Sequence, residues 1–308
     1  MSTNLEANHS QDIGCLPDWF RQGLPDKGKI NPVKDIIEKY RLNTVCRSAL
    51  CPNKGKCWEK GVATFMILGD ICTRDCAFCA VIKGTPGEID KKEPDNIALA
   101  VAELKLNYVV ITSVTRDDLP DKGSMQFVLT IEALKRKCPN VKVEALIPDF
   151  YGESDLLEKI ISARADVISH NIEMVKRLYP LIRPKSDYIR SLGVLKDLKR
   201  IRKSCLVKTG FMVGLGEAEE EINELIEDLS RTGCDMLTIG QYLSPSFDKH
   251  FPVKRFVPPE DFESYKKRAL RLGIGIVRSA PLVRSSFLAE EAFLEFKGSQ
   301  KESVAECN

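Results

Sequence analysis

A short apolar run leads directly into three closely spaced cysteines in the stretch Thr64-Phe65-Met66-Ile67-Leu68-Gly69-Asp70-Ile71-Cys72-Thr73-Arg74-Asp75-Cys76-Ala77-Phe78-Cys79. An uninterrupted apolar run ended by a glycine, here Gly69, is typical of a parallel strand that is buried on both faces. In parallel α/β folds, ligands bind in the loops that follow the C-terminal ends of the strands. The cysteines therefore occupy the position at which such a fold carries its chemistry.

Similar runs recur along the chain, and we predict six buried parallel strands, at Thr64–Gly69, Tyr108–Ser113, Val141–Ile147, Ala165–Ser169, Cys205–Val213 and Cys234–Ile239. Apolar residues at helical spacing lie between the runs, as at Ile97, Val101 and Leu104. Ser124 is the predicted N-cap of another helix, and Asn31 is predicted to open a helix before the cysteine-rich region. Six strand–helix units in series predict a parallel α/β fold, built as a partial barrel or as an open doubly wound sheet.

Composition sets broad limits on function. The chain has 308 residues, of which 43% are hydrophobic, and a net charge of +2, so no nucleic-acid or membrane partner is indicated. No window of about 18 uncharged apolar residues is present, so we expect no transmembrane helix. The first residues lack the basic and apolar regions of a secretory signal, and we therefore expect a cytoplasmic protein.

The cysteines are numerous and clustered. Eleven occur, and six of them fall between Cys46 and Cys79. An odd number of cysteines in a chain without a signal does not suit a disulfide framework, so reduced thiols indicate metal binding or redox chemistry. The remaining cysteines need no function, because free cysteine packs as a small apolar residue. They are Cys15, Cys138, Cys205, Cys234 and Cys307.

Cys72, Cys76 and Cys79 have the spacing C-x3-C-x2-C. Three thiolates on one loop can bind a compact metal centre, but a zinc site requires a fourth protein ligand, and the next histidine is His170. Three ligands to a four-iron cube would leave one iron open to a substrate or cofactor. Structural cysteines, or a zinc site completed from a distant part of the chain, remain alternatives.

A second triplet precedes the first, with Cys46, Cys51 and Cys57 at the spacing C-x4-C-x5-C. Two triplets with different spacings argue against one shared zinc site. We expect the neighbouring Lys54 and Lys56 to favour the thiolate form of these cysteines. Incidental core cysteines remain the alternative explanation.

The motif at Cys72–Cys79, with the aromatic Phe78 before its third cysteine, resembles the signature of radical S-adenosylmethionine (SAM) enzymes. The resemblance implies that Cys72, Cys76 and Cys79 bind a [4Fe–4S] cluster whose open iron chelates SAM. One electron from the cluster would cleave SAM to methionine and a 5′-deoxyadenosyl radical, while the protein positions and shields the reaction. The implied fold is a partial (β/α)6 parallel barrel.

The order of motifs resembles that of lipoyl synthases. In that family a C-x4-C-x5-C triplet precedes the radical SAM triplet, and a motif like Arg284-Ser285-Ser286-Phe287 lies near the C-terminus. The resemblance, which extends roughly from Val45 to Phe287, implies an auxiliary [4Fe–4S] cluster on the upstream cysteines. It assigns Ser286 as the fourth ligand of that cluster, and Arg284 and Ser286 as catalytic residues, although the residues alone do not distinguish the two adjacent serines.

The resemblance also divides the chain into an N-terminal extension with the auxiliary-cluster motif at residues 1–62, a radical SAM core at 63–280 and a C-terminal closing segment at 281–308. Three positions depart from the family pattern. Phe287 replaces the usual tyrosine, Lys122 interrupts what is usually Asp-Gly-Gly, and Leu288–Glu291 are not the common sequence. None of these departures removes a cluster ligand.

Further SAM contacts are predicted at or just after strand ends, namely at Phe78, Thr112, Ser113, Asn171, Glu173 and Gly214. The two hydroxyl residues would meet the amino group of SAM, and the amide and the carboxylate would meet its ribose. Gly214 belongs to the stretch Gly210–Glu217, which resembles a glycine-rich radical SAM segment in which the backbone approaches the ligand closely. Ordinary loop polarity explains these residues equally well, and His170 is predicted to be structural.

Lipoyl synthases insert sulfur at C6 and C8 of a protein-bound octanoyl chain, and the resemblance implies this sulfurtransferase reaction here. Such carbons carry no acidic proton, so general acid–base catalysis offers little and a radical is required. Two sulfur atoms require two SAM cleavages, with the auxiliary cluster as the implied donor. The implied partners are octanoylated carrier domains of 2-oxoacid dehydrogenase complexes and the glycine cleavage H protein, and an electron donor such as ferredoxin or flavodoxin.

Two other interpretations stay open at this point. One is another two-cluster radical SAM enzyme that inserts sulfur, of the biotin synthase or methylthiotransferase type, although no appended RNA- or protein-binding domain is visible. The other is a non-enzymatic module that binds zinc or a cluster for structural reasons.

Overall fold

The structure is a computed structural model that describes residues 16–23, 25–202 and 206–305, without the side chains of Lys27 and residues 299–305. Cys15, Cys205 and Cys307 lie outside the described residues, as does the beginning of the predicted N-terminal extension.

The described strands are β1 Asn43–Thr44, β2 Thr64–Ile67, β3 Ile71–Cys72, β4 Ile82–Lys83, β5 Tyr108–Ser113, β6 Lys142–Leu146, β7 Val167–Ser169, β8 Leu206–Val213, β9 Met236–Gln241 and β10 Ile276–Ser279. In this part of the chain, eight strands form one sheet in the order β1-β2-β5-β6-β7-β8-β9-β10. The sheet is parallel except at its edge, where β1 pairs antiparallel with β2. The short strands β3 and β4 pair with each other beside the first cysteines.

The α-helices are α1 Lys27–Lys39, α2 Val45–Ser48, α3 Lys54–Glu59, α4 Glu93–Glu103, α5 Ser124–Lys137, α6 Ser154–Ser162, α7 Tyr179–Ile182, α8 Tyr188–Ile201, α9 Glu219–Ser230, α10 Pro259–Arg271 and α11 Ala289–Ala305. Short 3-10 helices lie at Asp18–Phe20, Phe150–Gly152 and Lys176–Leu178. The regular alternation of strand and helix from β2 onward explains why the sheet is parallel, because each helix returns the chain to the same end of the sheet.

The sheet curves into a partial barrel. Side chains from strands far apart in the sheet meet in one buried cluster, which joins Tyr108 of β5 to Ile276 of β10. Phe293 and Phe296 of α11 belong to the same cluster, and the rings of Tyr108 and Phe293 lie 5.6 Å apart. A flat doubly wound sheet would keep these strands apart, so the barrel alternative is confirmed. Because the cluster uses the first residues of the strands, α11 covers the end of the barrel opposite the cysteine loops.

A buried ion pair lies inside the barrel. Lys208 Nζ is 3.0 Å from each carboxylate oxygen of Glu144, which also accepts hydrogen bonds from Tyr108 at 2.6 Å and Ser169 at 3.0 Å. Buried charges are tolerated when they are paired and hydrogen-bonded in this way. Two residues further along β6, on the same face of the strand, Leu146 lines the cavity described below, so the pair forms a polar layer beneath that cavity.

The six predicted strands are confirmed as β2, β5, β6, β7, β8 and β9, with ends that agree to within two residues where the chain is described. Strand β10 was not predicted, because its four residues Ile276–Ser279 include only two apolar side chains. The division at residues 62/63 and 280/281 stays a prediction, although the edge strand β1 joins the predicted extension directly to the sheet of the core.

Two predicted helix starts are wrong. The first helix begins at Lys27 rather than Asn31, because the Asp26 carboxylate accepts the Gly28 N–H at 2.9 Å and caps it there. Ser124 is the first residue of α5 and not its N-cap. The N-cap is the left-handed Gly123, and the turn is held by Asp121, whose carboxylate accepts the N–H groups of Gly123 and Met125.

Candidate active site

The loop that carries the core cysteines is attached to the next strand of the barrel. Cys72 Sγ accepts the backbone N–H of Thr115 at 3.3 Å and that of Arg74 at 3.5 Å. The Thr73 N–H donates to Thr115 O at 3.1 Å. Because Thr115 follows β5, the loop is positioned directly at the C-terminal end of the sheet.

Two further segments hold the same loop. The Ala77 N–H donates to Ile182 O at 2.8 Å, and Ala77 O accepts the Phe251 N–H at 2.9 Å. The three thiols are close enough to influence one another, because burial first and the neighbouring cysteines second raise the pKa of Cys79 to about 11. The pKa of Cys76 is also raised by burial, against the opposing effect of the Arg183 guanidinium.

Arg74 lies in the interior between two carboxylates. Its guanidinium donates to Asp117 at 2.8 and 3.0 Å and to Asp149 at 2.7 Å, and only 4% of the side chain is exposed. Burial alone would raise the pKa of Asp149, but the hydrogen bond and charge of Arg74 hold it below its usual range. This ion-pair network fixes the cysteine loop against the ends of β5 and β6.

Two of the upstream cysteines lie on short helices, Cys46 on α2 and Cys57 on α3, and Cys51 lies in the turn between them. Thr44 caps α2 by accepting the Arg47 N–H, and the Cys51 N–H donates to Cys46 O at 3.4 Å. The Cys57 N–H donates to Asn53 O at 2.9 Å. This triplet is therefore arranged mainly by local turns.

The expectation that nearby lysines favour the thiolate is wrong for Cys46 and Cys57. Burial raises the pKa of Cys46, and burial raises that of Cys57 to about 12, with only a smaller lowering by Lys60. Lys54 instead lies over the Trp58 ring, 5.8 Å from its centre. Burial outweighs these cations because they remain in solvent while the thiols do not.

The C-terminal segment packs on both the barrel and the upstream loop. The buried Asn53 side chain donates to Leu282 O at 2.7 Å, across 229 residues of sequence. Gly240 of β9 allows the segment to approach, because a Cβ atom there would lie 2.0 Å from Val283 O. The segment therefore delivers the residues that follow it, from Arg284 to Ser286, to the cysteines.

The two serines of this segment face different groups. Ser285 Oγ accepts the Asn171 side-chain amide at 2.6 Å. Ser286 lines a cavity of about 480 Å³ together with Cys46 and Cys51, and it also lines a second cavity of about 330 Å³ together with Cys57. Ser286 therefore shares a cavity wall with each of the three upstream cysteines, while Ser285, which also lines the first cavity, is hydrogen-bonded to Asn171 of the barrel.

Cysteines of both triplets line one cavity of about 480 Å³. Its cysteine lining comprises Cys46, Cys51, Cys72, Cys76 and Cys79. The other predicted site residues on its wall are Phe78, Thr112, Ser113, Asn171, Glu173, Arg284 and Ser286. Residues from the N-terminal region, the barrel and the C-terminal segment thus meet around a single space.

One predicted SAM residue lies elsewhere. Gly214 does not line this cavity, and its backbone has a φ of +96° with Gln241 Nε2 and Arg255 O packed where a side chain would be. Glu217 satisfies the N–H groups of the same turn, donated by Gly214 and Leu215. Local packing and the positive φ are therefore sufficient to explain why this position is a glycine.

Comparison with known proteins assigns the chain. The profile of the radical SAM superfamily matches residues 66–229. The lipoyl synthase of Alkaliphilus metalliredigens is 50% identical over 281 residues, which cover 91% of this chain and 97% of that protein. The lipoyl synthase of Caldicellulosiruptor saccharolyticus is 52% identical over 275 residues, covering 89% and 96%. The chain belongs to the lipoyl synthase family. It is therefore an enzyme, a radical SAM sulfurtransferase, and the family uses an iron–sulfur cluster and SAM.

Solved structures support the fold. The FeFe-hydrogenase maturase HydG of Carboxydothermus hydrogenoformans gives a TM-score of 0.56 at 13% identity, covering 88% of this chain and 80% of that one. Streptococcus suis SuiB gives 0.53 at 11% identity, covering 73% and 54%. These similarities show the fold alone, because the sequence identities are low.

None of the helices in the described part of the chain combines the length and hydropathy of a membrane span.

The cavity fits the SAM cofactor of the family. On the wall of this cavity Ser113 Oγ and Asn171 Oδ1 are buried and have no hydrogen-bond partner among the residues that the structure describes, and the same holds for His170 Nε2 in an adjoining polar pocket. Such atoms normally find a partner, so these are acceptors or donors prepared for a ligand. His170 is buried, and its Nδ1–H donates to Ile147 O at 3.0 Å. Burial lowers the pKa of His170 to about 4, so the imidazole is neutral at physiological pH.

The thiols fit iron–sulfur clusters better than a single ion. Within residues 16–23, 25–202 and 206–305, no three cysteine, histidine or carboxylate side chains converge as the ligands of one metal ion would. A four-iron cube is larger, and three thiolates around it stand further apart. Each triplet offers three thiols within one short stretch, and Ser286 lies on a cavity wall shared with the upstream triplet.

Sequence reasoning missed Arg183 as an individual site residue. It lines a polar pocket together with Cys76, His170, Asn171 and Glu173. A buried guanidinium beside a carboxylate and a neutral imidazole suits a zwitterionic ligand such as the amino-acid part of SAM. The sequence feature that could have identified Arg183 is its place in the dipeptide Arg183-Pro184, in the segment that follows the predicted strand Ala165–Ser169.

Proposed function

We propose that this protein inserts two sulfur atoms, at C6 and C8, into the octanoyl chain of an N6-octanoyl-lysine on a carrier protein, and so forms lipoyl-lysine. The observation that carries the proposal is the shared cavity of about 480 Å³, which is lined by all three core cysteines and by Cys46 and Cys51 of the upstream triplet. A radical formed at one end of such a space reaches a substrate carbon that also touches the other end. A zinc module or a single-cluster enzyme has no need of this arrangement.

The chemistry requires two different centres. When bound, one cluster supplies the electron that cleaves SAM, and the other supplies sulfide. The substrate carbons carry no acidic proton, so no side chain of the cavity serves as their general base. The task of the chain is to bind the cofactors, place the acyl chain between them and exclude water.

Individual residues support these tasks. Cys72, Cys76 and Cys79 would hold the SAM cluster and leave one iron open. Ser113 and Asn171 have unpartnered polar atoms that would orient SAM, and Asn171 also contacts Ser285 of the closing segment. This last contact would connect the SAM side of the cavity to the sulfide side.

The upstream centre would be bound by Cys46, Cys51, Cys57 and the oxygen of Ser286. A hydroxyl oxygen is a harder and weaker ligand of a sulfide cluster than a thiolate. We infer that Ser286 would hold its iron less tightly than a cysteine would, and that this weaker hold would make a sulfide of the cluster available to the substrate. Arg284 stands beside Cys51 in the cavity wall, where its guanidinium would balance the negative charge of the thiolates.

The proposed partners follow from the reaction. The substrates would be the octanoylated carrier domains of 2-oxoacid dehydrogenase complexes and the glycine cleavage H protein. A low-potential donor such as ferredoxin or flavodoxin would supply electrons, and both partners place the enzyme in the cytoplasm.

Anaerobic reconstitution tests the proposal. The purified chain should bind iron and sulfide for two [4Fe–4S] clusters and form 5′-deoxyadenosine from SAM and a reductant. Mass spectrometry of an octanoylated carrier domain should then show two added sulfur atoms. Full iron loading with a single cluster, or 5′-deoxyadenosine without any change in the carrier, would rule the proposal out.

The serine ligand needs its own test. The Ser286→Cys variant should retain both clusters by iron count and Mössbauer spectroscopy, yet insert sulfur much more slowly, because a fourth thiolate holds the iron. Ser285→Ala is the matched control and should keep the wild-type Mössbauer spectrum. Full sulfur insertion by Ser286→Cys would refute the role of the weak ligand.

A further inference from the structure

The mouth of the shared cavity is formed by three loops, at residues 45–52, 80–85 and 243–250. Leu50, Lys83 and Pro245 line the cavity from these three loops, respectively. The third loop is held next to the core cysteines, because Tyr242 Oη donates to Phe251 O at 2.6 Å and the Phe251 N–H donates to Ala77 O. Any large molecule that inserts a chain into the cavity must rest on these loops.

Each loop exposes one large apolar side chain. Leu50 is 64% exposed, Ile82 is 60% exposed and Phe247 is 93% exposed. Single exposed apolar residues are common, but three around one cavity mouth mark a surface that binds a partner. Aromatic side chains such as Phe247 are frequent anchors of protein interfaces, because they bury a large area at low entropic cost.

Each loop also carries one cation, namely Arg47, Lys83 and Lys249, and all three are exposed. The acidic residue within these loop sequences is Asp248, so their net charge of +2 equals that of the whole 308-residue chain. None of the three cations forms an ion pair with any residue that the structure describes. The mouth is thus a positive, partly apolar rim on an otherwise nearly neutral protein.

We propose that Arg47, Leu50, Ile82, Lys83, Phe247 and Lys249 form a docking rim for the folded carrier domain, and that this domain presents an acidic face around its octanoyl-lysine. The inference rests on the proposed function and specifies the partner of the same cavity. The apolar residues of the rim supply the contact area, while the cations attract and orient the acidic domain. The acyl chain then enters the cavity between the three loops.

Binding measurements test the rim without any turnover. Isothermal titration of reconstituted wild type with an octanoylated carrier domain should give an affinity that falls about tenfold in Phe247→Glu and falls also in Lys249→Glu. Leu294→Glu is the matched control, because Leu294 is 59% exposed on α11, at the opposite end of the barrel. This control should bind like wild type. Raising the salt concentration should weaken the wild-type complex and affect Lys249→Glu less.

Kinetics separate docking from damage to the cavity. Phe247→Glu should raise KM for the carrier domain about tenfold and leave KM for a short octanoyl-lysine peptide unchanged, because the peptide has no folded surface to dock. Equal losses on both substrates would overturn the docking rim. So would wild-type affinity in both rim variants, or a wild-type homodimer that Phe247→Glu converts to monomer, since the rim would then bind a second copy. If wild type converts neither substrate but still binds the carrier domain through the rim, the proposed reaction is wrong and the docking rim is supported.

Discussion

The two cysteine sites differ in how the chain holds them. The core triplet lies on a loop that is hydrogen-bonded to Thr115, Ile182 and Phe251, three segments that are far apart in sequence. The upstream triplet lies on the short helices α2 and α3 and the turn between them, and its hydrogen bonds are local. Asn53 attaches this upstream loop to Leu282 of the C-terminal segment.

This difference matches the work that each site is proposed to do. A centre that cleaves SAM repeatedly benefits from a rigid mount, which the barrel provides through many independent contacts. A centre that gives up sulfide must open and be rebuilt. A site assembled from the two ends of the chain can do this without disturbing the barrel, because local opening is easiest where few contacts hold a segment.

Removing one ligand from each triplet should separate the two sites most clearly. In Cys76→Ser the core cluster should be lost, and 5′-deoxyadenosine should fall below detection. In Cys51→Ser the upstream cluster should be lost, while 5′-deoxyadenosine formation continues and the carrier gains no sulfur. Iron analysis and chromatography of the nucleoside measure both effects. Equal loss of 5′-deoxyadenosine in the two variants would mean that the sites are not independent.

Breaking the ion pairs beneath the core loop should cost the next largest amount. Arg74→Met leaves the buried carboxylates of Asp117 and Asp149 without their main partner, and the free energy of unfolding should fall by about 3–5 kcal/mol. Urea unfolding followed by circular dichroism measures this change.

The pH dependence of stability gives the same network a second test. Because the folded pKa of Asp149 is lowered, its ionised form stabilises the fold above the unfolded pKa of roughly 3.9, and this stability is lost as the pH falls below that value. Wild type should therefore lose stability more steeply than Arg74→Met on acidification. Parallel curves for the two proteins would contradict the assigned role of Arg74.

Crowding the contact between β9 and the C-terminal segment should affect the upstream site alone. In Gly240→Ala the new methyl group meets Val283 O, and the free energy of unfolding should fall by about 1–3 kcal/mol. The upstream cluster should become labile, as measured by the rate of iron loss to a chelator. Gly193→Ala is the control, since its Cβ meets open space within α8. It should be neutral or slightly stabilising.

The smallest effect is expected at the surface ion pair between the upstream cysteine region and helix α11. Lys60 Nζ lies 3.7 Å from the Glu291 carboxylate, and both side chains are more than half exposed. Lys60→Ala should change the free energy of unfolding by about 0–1 kcal/mol, because solvent and salt screen such pairs. A loss as large as that in Gly240→Ala would show that the link, and not the buried contact, holds the segment.

Local sequence patterns were sufficient for much of the barrel. The valine and isoleucine runs located β2 and β5 to β9, because a strand covered on both faces must be apolar throughout. They failed for β10, which is short and half polar, and for the start of α1, where Asp26 caps the helix ahead of the proline. The expectation that Cys46 and Cys57 are thiolates was wrong, because burial raises the pKa of both thiols and burial depends on the folded chain rather than on adjacent residues.

Three motifs indicated the family from the amino-acid sequence alone: the core triplet Cys72, Cys76 and Cys79, the upstream triplet, and the Arg-Ser-Ser-Phe motif. The residues within each motif are adjacent or nearly adjacent in sequence, so their spacing could be recognised. Folding alone brings Cys51 and Cys76 to one cavity, places Ser286 on the walls of both cavities that border the upstream cysteines, and leaves Gly214 outside the wall of the shared cavity. It also gathers Leu50, Ile82 and Phe247 at one mouth. The physical reason is that these relations join separate segments of the chain, whose meeting depends on the curvature of the sheet and the packing of α11, which no local spacing encodes.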